Sequence, residues 1–169
     1  ANDYLDEAEL IIEDANYQPL YKNKNGEREK FTTLVNQSLE LEETARAYLF
    51  LGFARHMAFD SDSYKDSVQY YEKALELKPK YIRALIALSS AHTNGKNYQE
   101  CINSTDQILK IDTQNKIAKR LGKDCKSSLN QKNLTECMKD YEVLWHREPK
   151  NKVVLEKVDE CMIKLGQKS

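Results

Sequence analysis

Glycine and proline are scarce in this chain, five and three among 169 residues, which argues against the turn-rich strands of a β-sandwich. Neither sign of charge dominates: 26 Lys and Arg face 27 Asp and Glu, so a phosphate-binding surface for nucleic acid is not expected as the main function. Long apolar runs are missing too. An uncharged stretch such as Ala84 to Ala91 falls well short of the roughly 18 residues that would suggest a membrane span. The first residues, Ala1 to Glu7, are acidic and hold no apolar core flanked by basic residues, so no signal peptide or presequence is expected there. Cysteine occurs four times, at Cys101, Cys125, Cys137 and Cys161, but the separations of 24, 12 and 24 residues leave no close pair of the kind that zinc sites and redox motifs use. A reducing, intracellular and cytoplasmic setting is the expectation, with the cysteines packed as small apolar side chains.

What is present points to helices. With 40% hydrophobic and 31% charged residues, the chain is too apolar for a disordered segment and has the length of one domain. Charge is unevenly spread along it. Residues 1 to 44 hold 11 acids and 4 bases, or −7; residues 45 to 114 hold 8 and 9, or +1; residues 115 to 169 hold 8 and 13, or +5. Three Asn-x-Ser/Thr triplets begin at Asn36, Asn103 and Asn133, and they read as chance matches unless the chain is secreted.

Laid against itself at a shift of 34 residues, the chain places Tyr64, Ser67, Tyr71, Ala74, Leu75 and Leu77 on Tyr98, Cys101, Thr105, Ile108, Leu109 and Ile111. A further shift of 36 carries these onto Leu134, Cys137, Tyr141, Leu144, Trp145 and Arg147, with Pro79, Thr113 and Pro149 closing each unit. Such a period signals stacked supersecondary units. Within each unit two apolar sets recur at helical spacing. In the first, Tyr48, Leu51 and Gly52 precede a polar break at Asp60 to Ser63, and Tyr64, Val68, Tyr71 and Leu75 follow it. Proline at position 79 must end the second helix, having no N–H to donate.

This pattern resembles the tetratricopeptide repeat family. The best match runs from Ala45 to Pro79, through Tyr48, Leu51-Gly52, Tyr64, Tyr71 and Ala74-Leu75. A second unit, 82–114, carries Leu88-Ser89, Gly95, Tyr98, Cys101 and Ile108-Leu109. A third, 115–151, carries Leu121-Gly122, Leu134, Cys137 and Tyr141, with a longer turn expected between its helices. The resemblance implies an all-α fold: a right-handed solenoid of antiparallel helix pairs, with repeats at 45–81, 82–114 and 115–151. Flanking it, residues 1–44 read as an N-terminal helical pair (Tyr4, Ala8, Ile11, Ile12 and Ala15, then Phe31, Leu34, Val35 and Leu39) joined by a polar loop over Gln18 to Gly26. Residues 152–169 read as a capping helix ending at Gly166.

No catalytic constellation is expected. His56, His92 and His146 lie 36 and 54 residues apart, beside no Ser, Cys or carboxylate set, and there is no glycine-rich phosphate loop, so neither metal nor cofactor is expected. Stacked pairs instead leave a concave surface lined by the first helix of each unit. Helical spacing nominates Arg46, Leu49, Phe53 and His56 in the first unit, and Arg83, Ile86, Ser90 and Thr93 in the second. Lys116, Lys119, Lys123 and Lys126 are nominated in the third. The narrower carboxylate-clamp subgroup, which holds acidic chaperone tails, is matched only at Lys116 and Arg120, while Leu49, Phe53 and Ala87 stand where it needs polar side chains. Tyr70, Tyr71, Tyr98 and Trp145 are explained by packing between helices rather than by base stacking. The expected activity is a non-enzymatic scaffold docking a peptide or helix of another protein, and the lysine stripe reads either as a solvated helix face or as a place for the partner's carboxylates. A permanent subunit of a larger complex and the targeting domain of an enzyme or co-chaperone are the alternatives.

Overall fold

The computed structural model describes residues 1–14, 26–56 and 63–166, and among these there is helix and turn but no strand. Helix α1 spans Asn2–Asp14, α2 Glu27–Leu41, α3 Ala45–His56, α4 Ser63–Leu77, α5 Ile82–Asn94 and α6 Tyr98–Ile111. Then come α7 (Lys116–Cys137), a 3-10 turn (Lys139–Tyr141), α8 (Glu142–Arg147) and α9 (Lys152–Lys164). Ala15, the loop from Gln18 to Asn25, Asp60 to Asp62 and the side chain of Ile12 lie outside the described residues. No described helix is long and apolar enough to cross a membrane.

Short polar side chains set several helix starts. The Thr44 hydroxyl accepts the Ala47 N–H at 3.1 Å, Asn115 Oδ1 accepts that of Ala118 at 3.0 Å, and Asn151 Oδ1 accepts that of Val153 at 3.0 Å. Each satisfies an N–H that the first helical turn leaves unpaired. At the other end of α5 the chain turns in the left-handed region at Lys96 (φ 58°). There the N–H of Asn97 reaches back to the His92 carbonyl at 2.8 Å and that of Lys96 to Thr93 at 3.0 Å. Gly166 (φ 66°) ends α9 where the sequence places its stop.

The chain divides into two compact units, Ala1–Gly122 and Lys123–Ser169. In the first, each helix from α1 to α6 packs on the next, and α3 also touches α5. Phe31, Leu49, Phe50 and Tyr71 are fully buried in its main core, each contributing about 1.5–3 kcal/mol by leaving water. Phe31 meets Phe50 at a tilt with ring centroids 5.7 Å apart, and Phe53 meets Tyr71 edge to face at 5.9 Å. Gly52 explains the close approach of α3 to α4, since a Cβ there would stand 2.2 Å from the Tyr71 ring. A smaller cluster of Leu85, Ile108 and Ala118 continues the core, with Ile86 and Leu109 against it.

The positions paired by the 34-residue shift share their burial. Tyr64 and Tyr98 are half-buried; Ser67 and Cys101, Tyr71 and Thr105, Ala74 and Ile108 are buried; Leu75 and Leu109 are half-buried; Leu77 and Ile111 are exposed. The expected third helix pair is corrected. Leu134 and Cys137 do not open a second helix as Tyr64 and Tyr98 nearly do; they sit in the last turn of α7, which runs unbroken through the turn predicted there. Residues 127–133 contain no Gly and no Pro, so no strong breaker stops a helix already begun.

The cysteines are the second correction. None is free among the described residues: Cys137 is bonded to Cys161, and Cys101 and Cys125 are disulfide-bonded as well. In the second unit this bridge ties α7 to α9 beside a small core of Met138 and Val154, bordered by Leu134, Tyr141, Leu144, Trp145 and Val158.

Candidate partner-binding face

The nominated arginines converge. Arg46, near the start of α3, donates from Nη1 to Asp6 Oδ1 at 2.5 Å and from Nη2 to Glu9 Oε2 at 2.5 Å. Arg83, on the second residue of α5, donates from Nη1 to the other oxygen, Glu9 Oε1, at 2.9 Å. One carboxylate of α1 thus receives guanidinium groups from two successive pairs, the planar donors suited to it. Burial alone would raise the Glu9 pKa, but the hydrogen bonds from Arg83 and Arg46 outweigh it and hold the carboxyl below its usual range. Arg46 also lies over the Phe50 ring, 5.5 Å from its centroid, which anchors the guanidinium from below. Tyr81 is half-buried and feels both arginines and Glu9, its phenol pushed up by burial first of all.

The other nominations divide. Leu49 is fully buried and is removed from the face: α3 is covered by α2 on one side and α4 on the other, which sequence spacing along α3 alone does not reveal. Phe53 is half-buried within the aromatic cluster rather than presented to solvent. His56 is engaged by the core, with Nδ1 3.3 Å from the Tyr71 hydroxyl and Nε2 2.6 Å from Asn94 Nδ2. Ile86 and Ser90 are half-buried, and the Ser90 hydroxyl donates to the Ile86 carbonyl at 3.1 Å. Thr93 donates to the Ser89 carbonyl at 2.9 Å.

All four nominated lysines are exposed on α7. Lys116 and Lys119 belong to the first unit, where Lys119 Nζ donates to Gln114 Oε1 at 2.9 Å. Lys123 and Lys126 belong to the second. No group of three or more His, Cys, Asp or Glu that would hold a metal ion occurs among the described residues.

Asp6 and Glu9 were missed as members of the face. The available signal was their spacing of three on one side of α1 within the acidic stretch 1–44.

No protein-family model matches the chain. It is similar to a protein described as uncharacterized protein ycf37 from Cyanophora paradoxa, at 30% identity over 94 residues, covering 56% of this chain and 53% of that one. The chain therefore spans about half the length of the curated relative it matches.

Proposed function

We propose that the protein is a non-enzymatic docking scaffold of the tetratricopeptide-repeat kind, a right-handed α-solenoid whose concave face takes a peptide or helix of a partner protein with acidic side chains. The observation that carries this reading is the convergence of Arg46 and Arg83 on the single carboxylate of Glu9. Successive first helices aim their guanidinium groups at one point, which is the arrangement a partner's carboxylate would need. The shared burial pattern of α4 and α6 supports the repeat reading, and a face built on packed helices is preorganised for its ligand. Glu9 holds the arginine pair in the free protein, so an acidic partner displaces it and settles next to Lys116 and Lys119. Contacts this exposed contribute about 0.3–1 kcal/mol each, so charge orients the ligand more than it holds it.

The test compares proteins captured by the intact chain, by Arg83→Glu and by Lys119→Glu. Loss of the same captured protein in both variants is the expected result; an unchanged capture profile in both sinks the reading. A permanent subunit of a complex is the second reading, favoured by the exposed apolar residues Val153, Leu155 and Ile163 on α9, at 52%, 49% and 57% exposure. The cytoplasmic setting expected from cysteine spacing is not retained in this proposal, because paired cysteines favour an oxidising compartment.

A further inference from the structure

We propose that Asn103 carries an N-linked glycan, attached in the same oxidising compartment in which the chain's disulfides form. Asn103-Ser104-Thr105 has the acceptor pattern for transfer to an asparagine amide. Alone such a triplet means little, but two features of the structure give this one weight.

The first is the state of the cysteines. All four are disulfide-bonded, and structural disulfides persist in secretory compartments rather than in a reducing cytosol. Their positions repeat. The 36-residue shift carries Cys101 to Cys137 and Cys125 to Cys161, so both members of the second pair are copies of positions already filled by bonded cysteines.

The second is where Asn103 sits. Its neighbours Ile102 and Ser104 are buried, while Asn103 itself is exposed in a polar stripe of α6 with Gln99, Asp106, Gln107 and Lys110. Its Oδ1 accepts one exposed hydrogen bond, from Gln99 Nε2 at 3.1 Å. A bulky sugar at this place covers no apolar surface and displaces one solvent-accessible contact. The other two triplets differ. Asn133 is half-buried at a recess with Cys137 and Leu165, and Asn36, exposed like Asn103, lies on α2 at the edge of a recess with Arg55 and Tyr70. Asn103 is exposed and borders no such recess among those described.

In the transfer, Asn103 Nδ2 forms a bond to the anomeric carbon of a lipid-pyrophosphate-linked oligosaccharide. The carbon–oxygen bond to the pyrophosphate breaks, the lipid pyrophosphate leaves with that electron pair, and an amide proton passes to a base of the transferring enzyme. No oxidation state changes. The fold also fixes the timing. The Thr105 hydroxyl is 1% exposed and donates to the Ile102 carbonyl at 2.9 Å inside α6, so it is unavailable to the enzyme once the helix has packed. Transfer therefore precedes the folding of α6.

The protein purified from the cells that make it decides the matter by peptide mass spectrometry and gel mobility. The expected result is a hexose and N-acetylhexosamine mass on the peptide containing Asn103, removed by peptide-N-glycosidase with conversion of that asparagine to aspartate. Asn103→Gln is expected to migrate with the enzyme-treated protein, and Thr105→Ser, which keeps the pattern, to retain the slower mobility. An unmodified Asn103 peptide overturns the proposal, and so do cysteines that alkylate without prior reduction.

Discussion

At the scale of single residues, His56 shows how a side chain nominated for a surface is drawn into the core. Helical spacing places it on the same face as Arg46, yet its ring lies edge-on to Tyr71, centroids 6.2 Å apart, and both nitrogens meet polar neighbours. Burial pushes the His56 pKa down, and that of His92 likewise, with Glu100 and Glu72 pulling His92 partly back. Both groups therefore stay neutral in the folded chain at a pH where the unfolded chain has begun to bind protons. Their contribution to stability is complete above the ordinary value of 6.5 and is lost as pH falls below it. Glu9, held below its usual range, acts in the same direction at lower pH: its share is present above the carboxylate range and disappears as pH drops through its folded value. Chemical denaturation is expected to give a lower midpoint at about pH 5.5 than at about pH 7.5. The difference should shrink in His56→Gln, and equal midpoints in the unaltered chain would contradict the burial of both rings.

At the scale of elements, α7 departs most from what its sequence suggests. A 22-residue helix occupies the stretch where two helices and a turn were expected. Asn130→Pro discriminates between the two arrangements. In a turn it would be tolerated, but within this helix it removes a backbone donor and clashes with the preceding turn, costing about 3 kcal/mol; helical content and the thermal midpoint should both fall. Helices α3 to α6 were legible because each signal was local and redundant: apolar spacing, the polar break before Tyr64, Pro79 after α4 and Gly95 after α5. The extended third unit lost that redundancy, since its apolar positions alone fit either one helix or two. The candidate face was legible to the extent that Arg46 and Arg83 were placed together. Leu49 was misjudged because its burial depends on α2, whose contact with α3 no spacing within α3 encodes. The disulfides were hidden by distance along the chain, although the repeat arithmetic that aligns Cys101 with Cys137 aligns Cys125 with Cys161 as well.

At the scale of the whole molecule, the two units are held by different means. The first rests on a large aromatic and aliphatic core; the second, with three fully buried core residues among those described, relies on the bond between Cys137 and Cys161. Closing a loop of 24 residues removes freedom from the unfolded chain, equivalent to about 3 kcal/mol in the chain-entropy account. The double substitution Cys137→Ser and Cys161→Ser is therefore expected to unfold Lys123–Ser169 at lower denaturant concentration than Ala1–Gly122, giving two transitions where the unaltered chain gives one or a narrow pair. Coincident transitions in that variant would show that the bridge contributes nothing of the kind. Trp145, the chain's one tryptophan, borders the small core of the second unit and stacks at 6.2 Å on His146. Indole emission excited on its red edge, where tyrosine is silent, is thus a built-in reporter for one half of the molecule, while far-ultraviolet dichroism sums over both.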